Sequence, residues 1–172
     1  MRKINAPDAV DIISEQWQAK GLKTDLNAMQ VVARILRISK ALETRFGHLH
    51  KRFNLKQGEF DVLAALKRAD AKALTPSELY QSMLLSSGAM TSRLDRLENK
   101  GLISRSHCTQ DRRSIKVSLT SEGKTLINEV APAHFELLSK LMAGLSDHDK
   151  TQLAQLLKGC LLQIESQADS TE

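Results

Sequence analysis

The sequence predicts a mainly α chain with one small β-wing (α+β), and three observations carry that expectation. Apolar residues recur at three- and four-residue steps over long stretches, as amphipathic helices require. Thr75-Pro76-Ser77-Glu78 combines a cap, a proline for the first helical position and an acid three residues on. Ile103 to His107 and Ile115 to Leu119 are short alternating runs around a polar turn, as a hairpin requires.

Each element follows in order. A first helix over 8–20 carries Trp17, with Val10 and Ile13 on its face. A long helix over 26–53 has Met29, Val32, Leu36, Leu42, Phe46, Leu49 and Phe53 at helical spacing. Leu55 to Arg68 is the next, followed by a short helix from Thr75 to about Met83. Ser86-Ser87-Gly88 breaks that helix and caps another, whose stripe is Met90, Leu94 and Leu97 and whose stop is Gly101. After the hairpin, Thr120 caps a helix to about Gly144, with Pro132 expected to kink or break it. The last helix runs from Ser146 to about Gln167, with Leu153, Leu156, Leu157, Leu161 and Ile164 on one side.

Composition sets wider bounds. At 172 residues, 41% hydrophobic and 26% charged, the chain is expected to form one globular domain over 1–172. It has no run approaching the roughly 18 apolar residues of a membrane span. The opening MRKINAPDAVD has no apolar core to act as a signal, so a cytoplasmic location is expected. Cys108 and Cys160 match no metal or CxxC spacing. The five histidines show no metal-pair spacing, and a phosphate loop and a nucleophile elbow are both lacking, which argues against an enzyme and implies no cofactor. The broad apolar faces of the helices over 26–53 and 120–167 are expected to pair across a twofold axis as a homodimer.

The net charge of +5 is modest, but its placement is informative. From Thr91 to Lys116 seven basic residues (Arg93, Arg96, Lys100, Arg105, Arg112, Arg113, Lys116) face three acids (Asp95, Glu98, Asp111). A helix-turn-helix followed by a basic hairpin, over 55–119, is a shape for duplex DNA, one helix in the major groove and an arginine in the minor groove. With Met90, Leu94 and Leu97 inward, Gly88, Ser92, Asp95 and Arg96 point outward with Thr91 beside them. Ser86, Ser87 and the free N–H groups suit phosphate; Thr91, Ser92 and Arg96 suit base edges. Asp95 is expected to orient Arg96 or accept from cytosine. Asp111, Arg112 and Arg113 form the wing tip.

Three runs then identify a family resemblance: Leu85-Ser-Ser-Gly-Ala-Met-Thr-Ser-Arg-Leu-Asp-Arg-Leu-Glu, Lys100-Gly-Leu-Ile, and Asp111-Arg-Arg before Val117-Ser-Leu-Thr. Together they resemble the MarR (multiple antibiotic resistance regulator) family, from about Leu26 to Ile164. The resemblance implies a dimeric winged-helix transcription factor, usually a repressor, on a palindromic operator, released by a small anionic ligand. Trp17, the Phe60-Asp-Val-Leu-Ala-Ala-Leu segment and the Ser86-to-Arg93 run are similar to the urate-responsive, PecS-like branch. That likeness implies a ligand set of Trp17, Asp61, Arg93 and Arg105, for urate or a related purine.

The residue chemistry is compatible. Asp61 is the one charged group in an apolar segment, so it needs a partner. Arg93 lies about 60° from the inward stripe of its helix, and Arg105 shares a strand face with Ile103. Two inward arginines near one carboxylate suit an anion, with Trp17 as a flat lid. Three alternatives stand beside this reading. They are a structural ion-pair network, a regulator responding to a phenolic or aromatic carboxylate or to thiol oxidation at Cys108 or Cys160, and a DNA binder that no ligand regulates or that lacks sequence preference.

Overall fold

The computed structural model describes residues 6–69, 72–83, 90–107 and 115–168. Seven helices and two strands occur among them: α1 (Ala9–Ala19), α2 (Leu26–Lys51), α3 (Gln57–Arg68), α4 (Pro76–Ser82), α5 (Met90–Asn99), β1 (Ile103–His107), β2 (Ile115–Leu119), α6 (Ser121–Leu141) and α7 (Asp147–Ala168). They group into two compact units, one through His134 and one from Phe135 onward, where the sequence was read as one domain. No described helix is long and apolar enough to cross a membrane.

Local chemistry accounts for the ends of most elements. Thr75 caps α4 by accepting from the Glu78 N–H, while Glu78 Oε2 accepts from the Thr75 N–H at 2.7 Å. Asp8 and Asp11 form the same reciprocal box at the start of α1. The guanidinium of Arg34 on α2 grips both carboxylates, which fastens α1 to α2. Gly101, at φ +70°, lets the chain turn out of α5, with the Leu102 N–H returning to the Leu97 carbonyl. α6 runs unbroken through Pro132. A proline costs that helix one hydrogen bond, and Ile127 and Val130, both fully buried, hold the turns before it.

α3, α4, α5 and the two strands share one core: Val62, Leu63, Leu66, Leu79, Leu94, Leu97, Ile103 and Val117, with Ile127 and Val130 of α6. β1 and β2 are antiparallel in the register Ile103↔Leu119 and Arg105↔Val117. Leu74, just before α4, exchanges two backbone hydrogen bonds with Val117, at 3.0 and 2.8 Å. The segment entering α4 is therefore tied to the outer edge of β2 by a single β-bridge. α6 starts hard against the α5–β1 turn. Thr120 Oγ1 donates to the Gly101 carbonyl and accepts from the Gly123 N–H. A Cβ at Gly123 would strike the Leu102 carbonyl.

Two buried polar groups bind these elements together. Glu59, the third residue of α3, is fully buried. Its carboxylate accepts from the Lys56 N–H, from Arg96 Nε at 2.8 Å and from Lys100 Nζ at 2.8 Å. Burial pushes its carboxyl up, but the Lys100 ammonium, the Lys56 N–H and the Arg96 guanidinium outweigh that and hold it below the ordinary glutamate value. Lys100 also donates to the carbonyl of Asn54, whose φ is +55°.

His50, fully buried at the end of α2, stacks on Phe60 with ring centroids 4.3 Å apart, and its Nε2 lies 3.3 Å from His134 Nδ1. Burial, then the neighbouring His134, lower its pKa to about 4, with Gln57 opposing.

Two outcomes follow from these contacts. Gly123→Ala must push α6 off the α5–β1 turn, and a thermal melt should show a loss of about 1–3 kcal/mol. Because the folded-state pKa of His50 lies below its unfolded 6.5, the unfolded chain binds protons better between the two. Stability therefore falls as pH drops from about 6.5 toward 4, by on the order of 1–2 kcal/mol between about pH 7 and pH 5. His50→Phe keeps the stacking surface and removes the titration, so melts across that range should show a shallower loss; an unchanged slope would overturn the assignment.

Candidate nucleic-acid interface and effector site

α5 is held by α3 and β1 on its apolar side, through buried Leu94 and Leu97, leaving a polar side outward. Thr91 and Asp95 are exposed on it, and Ser92 is half-buried. The expected phosphate-contacting residues Ser86, Ser87 and Gly88, and the wing tip Asp111, Arg112 and Arg113, lie outside the described residues.

The arginines differ from their expected directions in two cases. Arg96 was expected to face outward with Asp95 as its guide. Its Nε instead turns to Glu59, and the side chain keeps 38% exposure. The physical reason is length: a helical wheel fixes where Cβ points, while a long arginine side chain can bend to a buried carboxylate whose desolvation demands a cation. Asp95 is taken by Arg105, at 2.5 Å, and Glu98 Oε2 lies 3.5 Å from Arg105 Nε. Arg105 was expected to turn toward Asp61. Its strand lies beside α5, and the two α5 carboxylates are nearer partners. The Arg105 pairs clamp the wing strand to the outer edge of α5.

Arg93 does turn toward α3, lying directly over Gly58, where any Cβ would overlap its guanidinium. Glycine at the second position of α3 is what admits that side chain. Asp61, one turn further along α3, accepts from Gln57 Nε2 at 3.1 Å. Burial raises its carboxyl above the ordinary aspartate value; Gln57 and the charges of Arg93 and Arg68 oppose this without cancelling it. Among the described residues, Asp61 Oδ2, Arg93 Nη1, Gln57 Oε1, His50 Nδ1 and Arg105 Nε are buried polar atoms with no hydrogen bond of good geometry, and Gln57 lies close enough to His50 to oppose the lowering of its pKa. Native interiors rarely leave such atoms unmatched, and each calls for an explanation.

Of the four expected effector residues, the structure thus brings Asp61 and Arg93 into one another's field and joins Arg105 to Asp95 and Glu98. Trp17 is 48% exposed on α1, whose buried residues are Val10 and Ser14 rather than Ile13. Sequence reasoning missed Glu59 and Gln57. The one signal for Glu59 was its place three residues after Lys56, the spacing of a capping box at the start of α3. For Gln57 the signal was its place one helical turn before Asp61. Cys160 is exposed on α7, and Cys108 lies outside the described residues.

Known proteins share this arrangement. The MarR family pattern matches residues 55–115, from the approach to α3 to the start of β2. The HTH-type transcriptional regulator PecS of Dickeya dadantii is 34% identical over 149 residues, covering 86% of this chain and 90% of that protein. Among solved structures, AbsC of Streptomyces coelicolor, a MarR family transcriptional regulator, superposes with a TM-score of 0.75 at 23% identity, over 84% of this chain and 98% of that one. A mutant MarR of E. coli, complexed with operator DNA, superposes with a TM-score of 0.68 at 26% identity, over 81% of this chain and 99% of that one. With the same helices, the same hairpin and this identity across most of both sequences, the chain belongs to the MarR family of transcriptional regulators.

Proposed function

We propose that the protein is a dimeric, cytoplasmic transcriptional repressor that binds a palindromic operator through α5 and the wing, and that a small anionic ligand releases it. The observation that carries the DNA reading is the polar outer side of α5, with Thr91, Ser92 and the Arg96 side chain at its surface and Arg105 bracing it against β1. The solved complex of the E. coli MarR variant with operator DNA supports it. Ser86, Ser87, Gly88, Asp111, Arg112 and Arg113 complete the proposed contact set.

Dimerisation is supported by apolar side chains left in water on the helices outside the winged unit. Val31, Val32, Leu36 and Ile38 on α2, and Leu156, Leu161, Leu162 and Ile164 on α7, are all at least half exposed. Apolar residues of this kind, on each of the two helices taken by itself, are what a second copy would cover.

The effector reading rests on the unmatched atoms around Asp61. A purine anion such as urate carries ring N–H donors and carbonyl acceptors. The former suit Asp61 Oδ2 and Gln57 Oε1, and the latter suit Arg93 Nη1. Because Arg93 stands on α5, a ligand bonded to it pulls on the reading helix. An anion that also recruited Arg105 would strip Asp95 and Glu98 of their counter-charge beside DNA phosphates. Trp17 is a flat surface available to stack on such a ring. A coupling of 1–3 kcal/mol between ligand and DNA corresponds to about 5–150-fold in affinity.

Mobility shifts on the upstream intergenic DNA of its own gene test both halves. Binding should weaken by on the order of a thousandfold between about 50 and 200 mM salt if six or more phosphates are neutralised; salt-independent binding would contradict the phosphate contacts. Urate or xanthine should release the DNA from the wild-type protein. Asp61→Asn, Arg93→Ala and Gly58→Ala should each blunt that release at least tenfold, by the size of the coupling at stake. Insensitivity of the wild-type protein to millimolar purines would sink the purine reading and leave the DNA reading standing.

A further inference from the structure

Glu59 does more than accept from the N–H of the N-cap residue Lys56. That bond needs one carboxylate oxygen, and an exposed glutamate serves. This glutamate is fully buried, and its remaining partners are Arg96 on α5 and Lys100 in the turn that ends it, one helical turn further along. Lys100 is fixed twice over, by Glu59 and by the Asn54 carbonyl at 2.6 Å. The base of α5 is thus fastened through Lys100. Arg96, one turn nearer the start of α5, is fastened through a single atom.

That atom is Nε, which leaves the other edge of the guanidinium free. The Arg96 side chain is 38% exposed, and its Nη groups are not among the buried polar atoms that lack a partner. A guanidinium is planar, so a bond at Nε sets the direction in which the outer pair of N–H donors points. The outer edge is the one that pairs bidentately with O6 and N7 of guanine. An arginine held this way meets a base without first losing its rotamer freedom.

We propose that Glu59 is a specificity-determining positioning residue, which aims the outer edge of Arg96 at one guanine in each half of the DNA site. The proposal rests on the reading of α5 as the helix that enters the major groove. Glu59 touches no DNA. Its carboxylate is needed because an amide presents one acceptor oxygen, and cannot hold Lys56 N–H, Lys100 and Arg96 together.

The test uses a duplex that the full-length wild-type protein selects from a random-sequence pool. Fluorescence anisotropy then gives affinities for that duplex, for each single base-pair variant of it and for an unrelated duplex of equal length. Arg96→Ala should flatten the preference at one base pair of each half-site. Glu59→Gln should flatten the same base pair, by roughly tenfold, while affinity for the unrelated duplex stays within about threefold, since phosphate contacts carry no sequence information. The double variant should be no flatter than Arg96→Ala alone.

Full preference at that base pair in Glu59→Gln, or an equal loss on every duplex, overturns the proposal. An Arg96→Ala profile identical to wild type overturns it as well. If the wild-type protein does not prefer its selected duplex over the unrelated one, the groove-reading role of α5 falls first. Should Glu59→Gln not fold, Arg96→Lys makes the same cut from the other side, since lysine keeps the charge but has no second edge to present. It should flatten the same base pair, and retention of the preference counts against the proposal.

Discussion

A carboxylate without water has to be matched by cations and hydrogen bonds, and the arrangement of the winged unit depends on how Glu59 meets that demand. Its three partners come from the start of α3, from α5 and from the turn that ends α5. An ion pair of this kind adds little net stability over an apolar contact of the same shape, but it is directional. Leucine packing between α3 and α5 would tolerate sliding and rotation of one helix on the other. The carboxylate does not, because either movement leaves a charge unpaired in the interior. The orientation of the outer side of α5 is in that sense decided from the inside.

α3 carries a second acid with the opposite character. Glu59 and Asp61 are two residues apart, so they leave the helix in nearly opposite directions. Glu59 is matched on both oxygens and its carboxyl is held below the ordinary value; Asp61 is matched on one and its carboxyl is raised. Arg93 is close enough to lower it by charge, yet the hydrogen bond it receives comes from Gln57. One helix therefore has a saturated acid that fixes α5 and an unsaturated one near the same helix.

What the sequence made legible was local. The capping box at Thr75, the turn at Gly101 and both strands fall where residue chemistry placed them, because each depends on neighbours within a few positions. The inward direction of Arg93 was also legible, since a short approach over Gly58 keeps the side chain close to its Cβ vector. The errors lie in contacts between distant segments. Helical spacing did not show that Arg96 Nε turns to Glu59, and strand alternation put Arg105 toward Asp61, because both side chains are long enough to choose partners by charge. The Leu74 bridge to Val117 and the pairing of His50 with His134 join residues far apart in the chain, and nothing in either segment announces them.

The close approach of Arg93 to Gly58 ties two positions 35 residues apart into one unit of inheritance. A Cβ at position 58 would make the Arg93 side chain shift from where it now lies. A lineage that lost the arginine would be released to fill position 58 with a better helix former. Across related sequences the two positions should therefore change together, with glycine at one recording the arginine at the other.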